Sequence, residues 1–362
     1  MAKVGRISKV DLLIMALAVV LAIAVVICKL AHVSPGIAFT VACLSLLPPA
    51  AIMGKATEEL AKYVGSTIGG LLNATFGNAT ELIVAIFALK AGMFDVVKAS
   101  ITGSIIGNVL VVLGFAALVG GWKKREQQFH VVAASSNASM LLLAVVALLV
   151  PAIFIHATPA EVAGDQTVLS LGFWVAVVLI VAYGAGLLFS LKTHRDVFDG
   201  DTDHEEPAWS RAFAIAVLVG ATIIVSFNSE VLVVALEPIL EHGSLSPLFV
   251  GVIILPFVGN AAEHAGAVFL AAKDKMDIAL TIAVGSSTQV ALFVAPVLIF
   301  ISWAMGTPMT YIFEVPEIVV IAAAVAIVNF ISFDGKTNWF EGFLLLATYA
   351  IMALTFYFIP LG

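Results

Sequence analysis

Two glutamates, Glu81 and Glu263, stand in stretches that otherwise carry only apolar and small side chains. Each closes a five-residue pattern, Gly77-Asn78-Ala79-Thr80-Glu81 in one place and Gly259-Asn260-Ala261-Ala262-Glu263 in the other, and a hydrophobic run follows each. A carboxylate inside a membrane span is costly to bury and marks an ion or proton pathway. Two of them in one short context point to a single site assembled from two parts.

The chemistry of such a site follows from its donors. Glu81 and Glu263 offer carboxylate oxygens, and Asn78, Asn260, Thr80 and Ser286 add amide and hydroxyl oxygens. Gly77 and Gly259 loosen the helix, so that backbone carbonyls nearby leave the helical ladder. No thiol, thioether or histidine cluster accompanies them. An all-oxygen set suits Ca²⁺ or Mn²⁺ and fits soft metals poorly. Glu81 and Glu263 are therefore the expected metal ligands. Without a cation, two facing carboxylates in low dielectric repel and are poorly solvated, so protons take the cation's place and the pair titrates as one unit. A site that holds either a divalent cation or protons is the site of an exchanger, with no covalent chemistry and no resident cofactor; Ca²⁺ is cargo.

Other polar residues near the patterns are secondary candidates. His264 follows Glu263 directly, about 100° around a helix, which leaves both proton handling and helix-packing hydrogen bonds open. Gln289 and Asn108 sit in mid-span, where amides bridge helices or couple protonation to helix movement. Glu58 and Glu59, with Glu230 and Glu237, are placed as entrance or interface residues or as surface charge. Asp95 and Asp277 read as helix caps. Cys28 and Cys43 have neither metal nor disulfide spacing.

The elements that must position these residues are membrane helices. Of 362 residues, 62% are hydrophobic and 11% charged, against roughly 45–50% and 25% in ordinary globular domains. Spans are expected near 10–31, 35–54, 67–90, 96–120, 130–154, 168–191, 208–236, 246–271, 277–303, 314–332 and 338–360, each near the length a bilayer needs. Pro48-Pro49 should interrupt the second span. The net charge of −7 comes with no basic, aromatic-interleaved stretch, so nucleic acid is excluded as a partner. The first apolar stretch is long for a signal core and reads as a retained span.

Two regularities organise the spans. Adding 182 to a residue number maps Gly77, Asn78, Ala79 and Glu81 onto Gly259, Asn260, Ala261 and Glu263, Asp95 onto Asp277, and Gly103-Ser104 onto Gly285-Ser286. With the N-terminus cytoplasmic, 14 of the 17 Lys and Arg fall on the inside, as the positive-inside rule requires. The third and eighth spans then run antiparallel. The expected fold is an all-α polytopic membrane protein with eleven transmembrane helices: an extra N-terminal helix over 1–33, five-helix repeats over 34–192 and 208–362, and an acidic cytoplasmic linker over 193–207. Such inverted repeats place the substrate near the midplane, at their interface. In the linker Asp199, Asp201 and Asp203 alternate as in a calcium-binding loop, but His204 stands where glycine is required and Ser210 where glutamate is, so that motif fails.

At these residues the chain resembles the calcium/proton exchanger family of the wider cation/Ca²⁺ exchanger superfamily. The resemblance rests on Gly77 to Ile83 and Ala85 to Lys90, on Gly259 to His264, Lys273 to Asp277 and Gly285 to Gln289, and on Thr57-Glu-Glu-Leu-Ala61. It implies a ten-helix core of two inverted repeats plus one helix, and exchange of cytosolic Ca²⁺ for H⁺. It assigns Glu81 and Glu263 as shared cation and proton ligands, completed by Asn78, Asn260 and the backbone about Gly77 and Gly259. It likens Gln289 to a position that senses protonation, although the repeat counterpart is Gly107, with Asn108 one step on.

The competing functions are Na⁺-coupled exchange, which calls for further carboxylates not seen near the motifs; a cation channel, which needs no alternation; and an intramembrane hydrolase, for which no nucleophile and base are paired. The expected location is a prokaryotic plasma membrane, with the C-terminus outside. Nothing in the chain specifies an oligomeric state.

Overall fold

The computed structural model describes residues 7–64, 66–122, 124–159, 164–194, 206–242 and 245–359. Most of the acidic linker, 195–205, lies outside the described residues. The first half contains α1 (Lys9–Leu30), α2 (Pro35–Val64), α3 (Ser66–Phe76), α4 (Ala79–Lys90), α5 (Phe94–Ile106), α6 (Leu113–Gly121), α7 (Val131–Ala157) and α8 (Asp165–Leu188). The second contains α9 (Arg211–Glu241), α10 (Pro247–Gly259), α11 (Ala261–Ala272), α12 (Met276–Gln289), α13 (Ala295–Ala304), α14 (Val315–Ser332) and α15 (Trp339–Phe358). The expected third span is divided between α3 and α4, and the eighth between α10 and α11.

Among the described residues nine helices are each long and apolar enough to cross a membrane. A tenth is reached if α10 and α11 count as one span, bent by 61°. The protein is a helical membrane protein, its outer faces apolar because lipid is their solvent.

Burial separates core from periphery. In the most apolar stretch of Phe94–Gly121, 89% of residues are buried, and in Met276–Ala304, 67%, whereas in α1 only 11% are. The two most buried spans are repeat mates at the offset of 182. Each also contains a widened π turn, at Gly107–Val112 and at Val290–Val294. Such turns carry no residue signature and were not legible in advance; they recur at functional sites.

Two expectations are corrected. Pro48 and Pro49 do not interrupt α2, which runs unbroken to Val64. Pro49 lacks the N–H that would serve the carbonyl of Ser45, and the Asn228 side-chain amide of α9 donates to that carbonyl instead, at 3.1 Å. Nor are Asp95 and Asp277 caps. Met93 and Lys275 occupy the N-cap positions; Asp95 pairs with Lys98 at 3.1 Å, and Asp277 accepts from the backbone N–H of His130.

On one side of the molecule a short strap joins the halves. Strands β1 (Gln127–Gln128) and β2 (Lys336–Thr337) pair antiparallel, and Gln127 donates to the carbonyl of Ala271, 3.3 Å away at the end of α11. The Glu126 carboxylate receives the Lys336 ammonium at 2.9 Å and holds it above its usual pKa. This pair is exposed and contributes little to stability; the backbone pairing and the buried Gln127 fix the strap.

Candidate functional site

Both five-residue patterns fold as a break between two helices. α3 ends at Phe76 and α4 begins at Ala79, with Gly77 and Asn78 in the turn; α10 ends at Gly259 and α11 begins at Ala261, with Asn260 in the turn. Neither asparagine has a helical backbone: φ and ψ are −100° and 19° at Asn78, and −94° and 5° at Asn260. Glu81 and Glu263 then sit in the first turns of α4 and α11, where the partly positive helix N-terminus favours a carboxylate. The ends of α3 and α10 meanwhile leave last-turn carbonyls without helical partners.

The glutamates lie across each other's breaks. A Cβ built on Gly259 would come within 3.2 Å of Glu81 Oε1, and one built on Gly77 within 3.6 Å of Glu263 Oε1. The bare Gly259 backbone leaves the Glu81 carboxylate its space, whereas the approach of Glu263 to Gly77 is an ordinary contact; the two carboxylates interact electrostatically with one another. Glu81 is buried and Glu263 half-buried.

The surrounding amides and hydroxyls form two clusters with the same exchange. In the first, Asn108 Nδ2 donates to Ser286 Oγ (3.0 Å), Ser286 donates to Asn78 Oδ1 (3.2 Å), and Asn78 Nδ2 donates to Gln289 Oε1 (2.6 Å). In the second, Asn260 Nδ2 donates to Ser104 Oγ at 3.4 Å and to the carbonyl of Pro256 at 3.1 Å. Asn78 with Ser286 and Asn260 with Ser104 are the same pair under the offset of 182, each reaching from one half into the other. Ser287 Oγ donates to the carbonyl of Ile105, its own repeat mate, at 3.0 Å.

Four oxygens in this cluster are buried with no hydrogen-bond partner among the described residues: Glu81 Oε2, Glu263 Oε2, Asn108 Oδ1 and Asn260 Oδ1. All four are acceptors. Orphaned buried acceptors are uncommon and each needs a reason; an electropositive guest supplies one for all four. Among the described residues there is no cluster of three or more His, Cys, Asp or Glu side chains, so a cation here would depend on amide, hydroxyl and carbonyl oxygens beside the two carboxylates.

The remaining candidates divide. Thr80 is buried in the first turn of α4. His264 stands beside Glu263 with Nε2 unpaired among the described residues and its ring edge-on to Phe257. Glu58 and Glu230 are exposed, Glu58 pairing with Lys55 at 3.2 Å. Glu59, expected as an entrance or interface residue or as surface charge, is fully buried: it accepts from the backbone N–H groups of Ala208 (2.6 Å) and Trp209 (3.0 Å) and pairs with Lys62 (3.0 Å). It fastens the start of the second half to the end of α2. Ser104 is the residue the sequence reading passed over, although it is the repeat mate of Ser286.

A family model described as sodium/calcium exchanger protein matches residues 34–192 and 213–358, most of the chain. The chain belongs to this family. Exchangers similar to it include a Ca(2+)/H(+) antiporter of Aphanothece halophytica, 49% identical over 338 residues, covering 89% of this chain and 90% of that one. The Ca(2+)/H(+) antiporter ChaA of Bacillus subtilis is 44% identical over 338 residues, covering 92% and 95%. Among solved exchanger structures, native YfkE is 41% identical, with a TM-score of 0.83 over 96% of this chain and 100% of that one.

Proposed function

We propose that this protein is a secondary active antiporter that moves Ca²⁺ out of the cytosol in exchange for H⁺ by alternating access, the cation and protons competing for Glu81 and Glu263. The observation that carries this reading is the pair of carboxylates that reach across each other's helix breaks, each with an unpaired buried oxygen among the described residues, beside the unpaired amide oxygens of Asn260 and Asn108. The names of the relatives at 49% and 44% identity support the choice of Ca²⁺ and H⁺ as cargo. Glu81 and Glu263 are the metal and proton ligands; Asn78, Asn260, Asn108, Ser286 and the backbone about Gly77 and Gly259 complete the shell. Gln289 ties this shell to α12 through Asn78, so a change of occupancy is transmitted to that helix. Mn²⁺ is the competing cation that an all-oxygen shell admits.

The architecture that goes with it is two inverted five-helix repeats over 34–192 and 208–362, an extra helix over 1–33, and a linker over 193–207. α3 with α4, and α10 with α11, each make one broken span, giving eleven. Reciprocity of the contacts under the offset of 182 supports the repeat, the basic-residue bias supports a cytoplasmic N-terminus and an outward C-terminus, and the bacterial antiporter relatives support a plasma-membrane setting. Discontinuous helices meeting at mid-depth are how such repeats build an ion site.

The test uses sealed vesicles loaded at acidic pH and radioactive Ca²⁺ outside. Uptake is expected to follow the imposed proton gradient, to collapse with a protonophore while the voltage is clamped, and to fall to background in Glu81→Gln and Glu263→Gln. An imposed Na⁺ gradient alone is expected to drive none. Uptake that follows Na⁺ and ignores the proton gradient would replace the coupling ion. Normal exchange by either variant would remove the paired-carboxylate site.

A further inference from the structure

Glu317 is a buried carboxylate with no part in the site described above. It lies in the first turn of α14, 1% exposed. Both its oxygens are taken: Oε2 by the backbone N–H of Glu314 at 2.8 Å, and Oε1 by the hydroxyl of Thr102 in α5 at 3.0 Å. Thr102 is itself fully buried. The charged groups nearby are Lys98, one turn before Thr102 on the same face of α5 and acting electrostatically on Glu317, Asp95, which pairs with Lys98, and Glu314 at the head of α14.

The place of Thr102 on α5 gives this bond its meaning. Two residues on, about 200° around the helix, Ser104 receives Asn260; past the start of the π turn, Asn108 reaches Ser286. α5 is thus held on one face by Glu317 while its opposite face presents Ser104 to the other half of the molecule. The hold has no repeat counterpart, because the residue at the position of Thr102 in the second half is Val284. A buried carboxylate in a membrane helix is costly to keep without a partner; here the partner is a helix that carries Ser104, which receives Asn260 of the candidate cation shell, and that leads into Asn108 of the same shell.

We propose that Glu317 is a positioning residue for the cation site, fixing the rotation of α5 through Thr102 and with it the placement of Ser104 and Asn108. This rests on the assignment of Asn108 and Asn260, which Ser104 receives, to the ion shell. Its test is kept separate from transport: Ca²⁺ affinity of the purified full-length protein is read from the Ca²⁺-dependent rise in Tm, and vesicle exchange is measured in parallel. Thr102→Val and Glu317→Leu are each expected to weaken Ca²⁺ binding by about tenfold, the scale on which outer partners of metal ligands act. Thr102→Ser keeps the hydroxyl and is expected to bind as the parent does. The double variant Thr102→Val, Glu317→Leu is expected to be no worse than either single one, because both remove the same bond.

A fall in cation-free Tm with unchanged Ca²⁺ affinity would reduce the bond to a structural tie and overturn the proposal. So would additive losses in the double variant, or equal losses in Thr102→Ser and Thr102→Val. If Glu317→Leu does not fold, the Thr102 pair decides alone. A parent protein that binds Ca²⁺ but exchanges none sinks the antiport reading, while the affinity series still decides the role of Glu317.

Discussion

At Gly259 a hydrogen atom is the whole side chain, and the Glu81 carboxylate occupies the space beside it. An alanine there would put a methyl 3.2 Å from Oε1, so the carboxylate would have to move by a few tenths of an ångström. Ca²⁺ ligands sit at about 2.3–2.6 Å, and displacements of that size spoil a shell more than they spoil a fold. Gly259→Ala is therefore expected to raise the Ca²⁺ KM of exchange by about tenfold with little change in Tm. Gly77→Ala should do more harm, because its methyl would meet the backbone carbonyl of Asn73 at 2.6 Å; there the helix end itself must shift, and Tm should fall along with affinity. Vesicle KM and detergent Tm, measured on the two variants together, check this. A parent-like KM in Gly259→Ala would mean that Glu81 does not use this space when the cation is bound.

The helices explain which parts of the structure could be read from the chain. The motif pair was legible because an ionic residue in an apolar run is conspicuous and because its duplication needs no gap. The partners of Asn78 and Asn260 were half legible: Ser286 stood among the expected oxygen donors, whereas Ser104 entered only through the offset that relates the two. The π turns were invisible, since widening a helix by one residue leaves its composition unchanged. The expected break at Pro48-Pro49 failed for a reason sequence does not carry, namely a donor from another helix. That donor makes a prediction. Asn228→Leu would leave the buried carbonyl of Ser45 without its partner, at about 1–3 kcal/mol, seen as a lowered Tm. In a Pro49→Ala background the restored backbone N–H can serve Ser45, and the cost of Asn228→Leu should largely vanish. Equal costs in both backgrounds would show that the amide does not stand in for the missing proline donor.

Across the whole molecule, polar ties that run between the halves recur at every depth. Asn78 meets Gln289, Asn108 meets Ser286, Asn260 meets Ser104, Asn228 meets Ser45, Glu59 holds Ala208 and Trp209, and β1 pairs with β2. Under the proposed reading neither half owns a complete ion shell, since each contributes one carboxylate and leaves its glycine break to receive the other's. The covalent link over 195–205 would then matter far less than the interface. Fragments 1–200 and 201–362, expressed together in one membrane, are expected to assemble through these contacts and to restore proton-driven Ca²⁺ uptake, with Glu59 still able to anchor residues 208 and 209. Either fragment alone is expected to bind no Ca²⁺, because a lone carboxylate with half its amide partners cannot replace the hydration of a divalent ion. Co-purification, Ca²⁺-dependent Tm and vesicle uptake of the paired and single fragments test this together. A single fragment that binds Ca²⁺ with the affinity of the intact chain would place a complete site within one half and end the two-half reading.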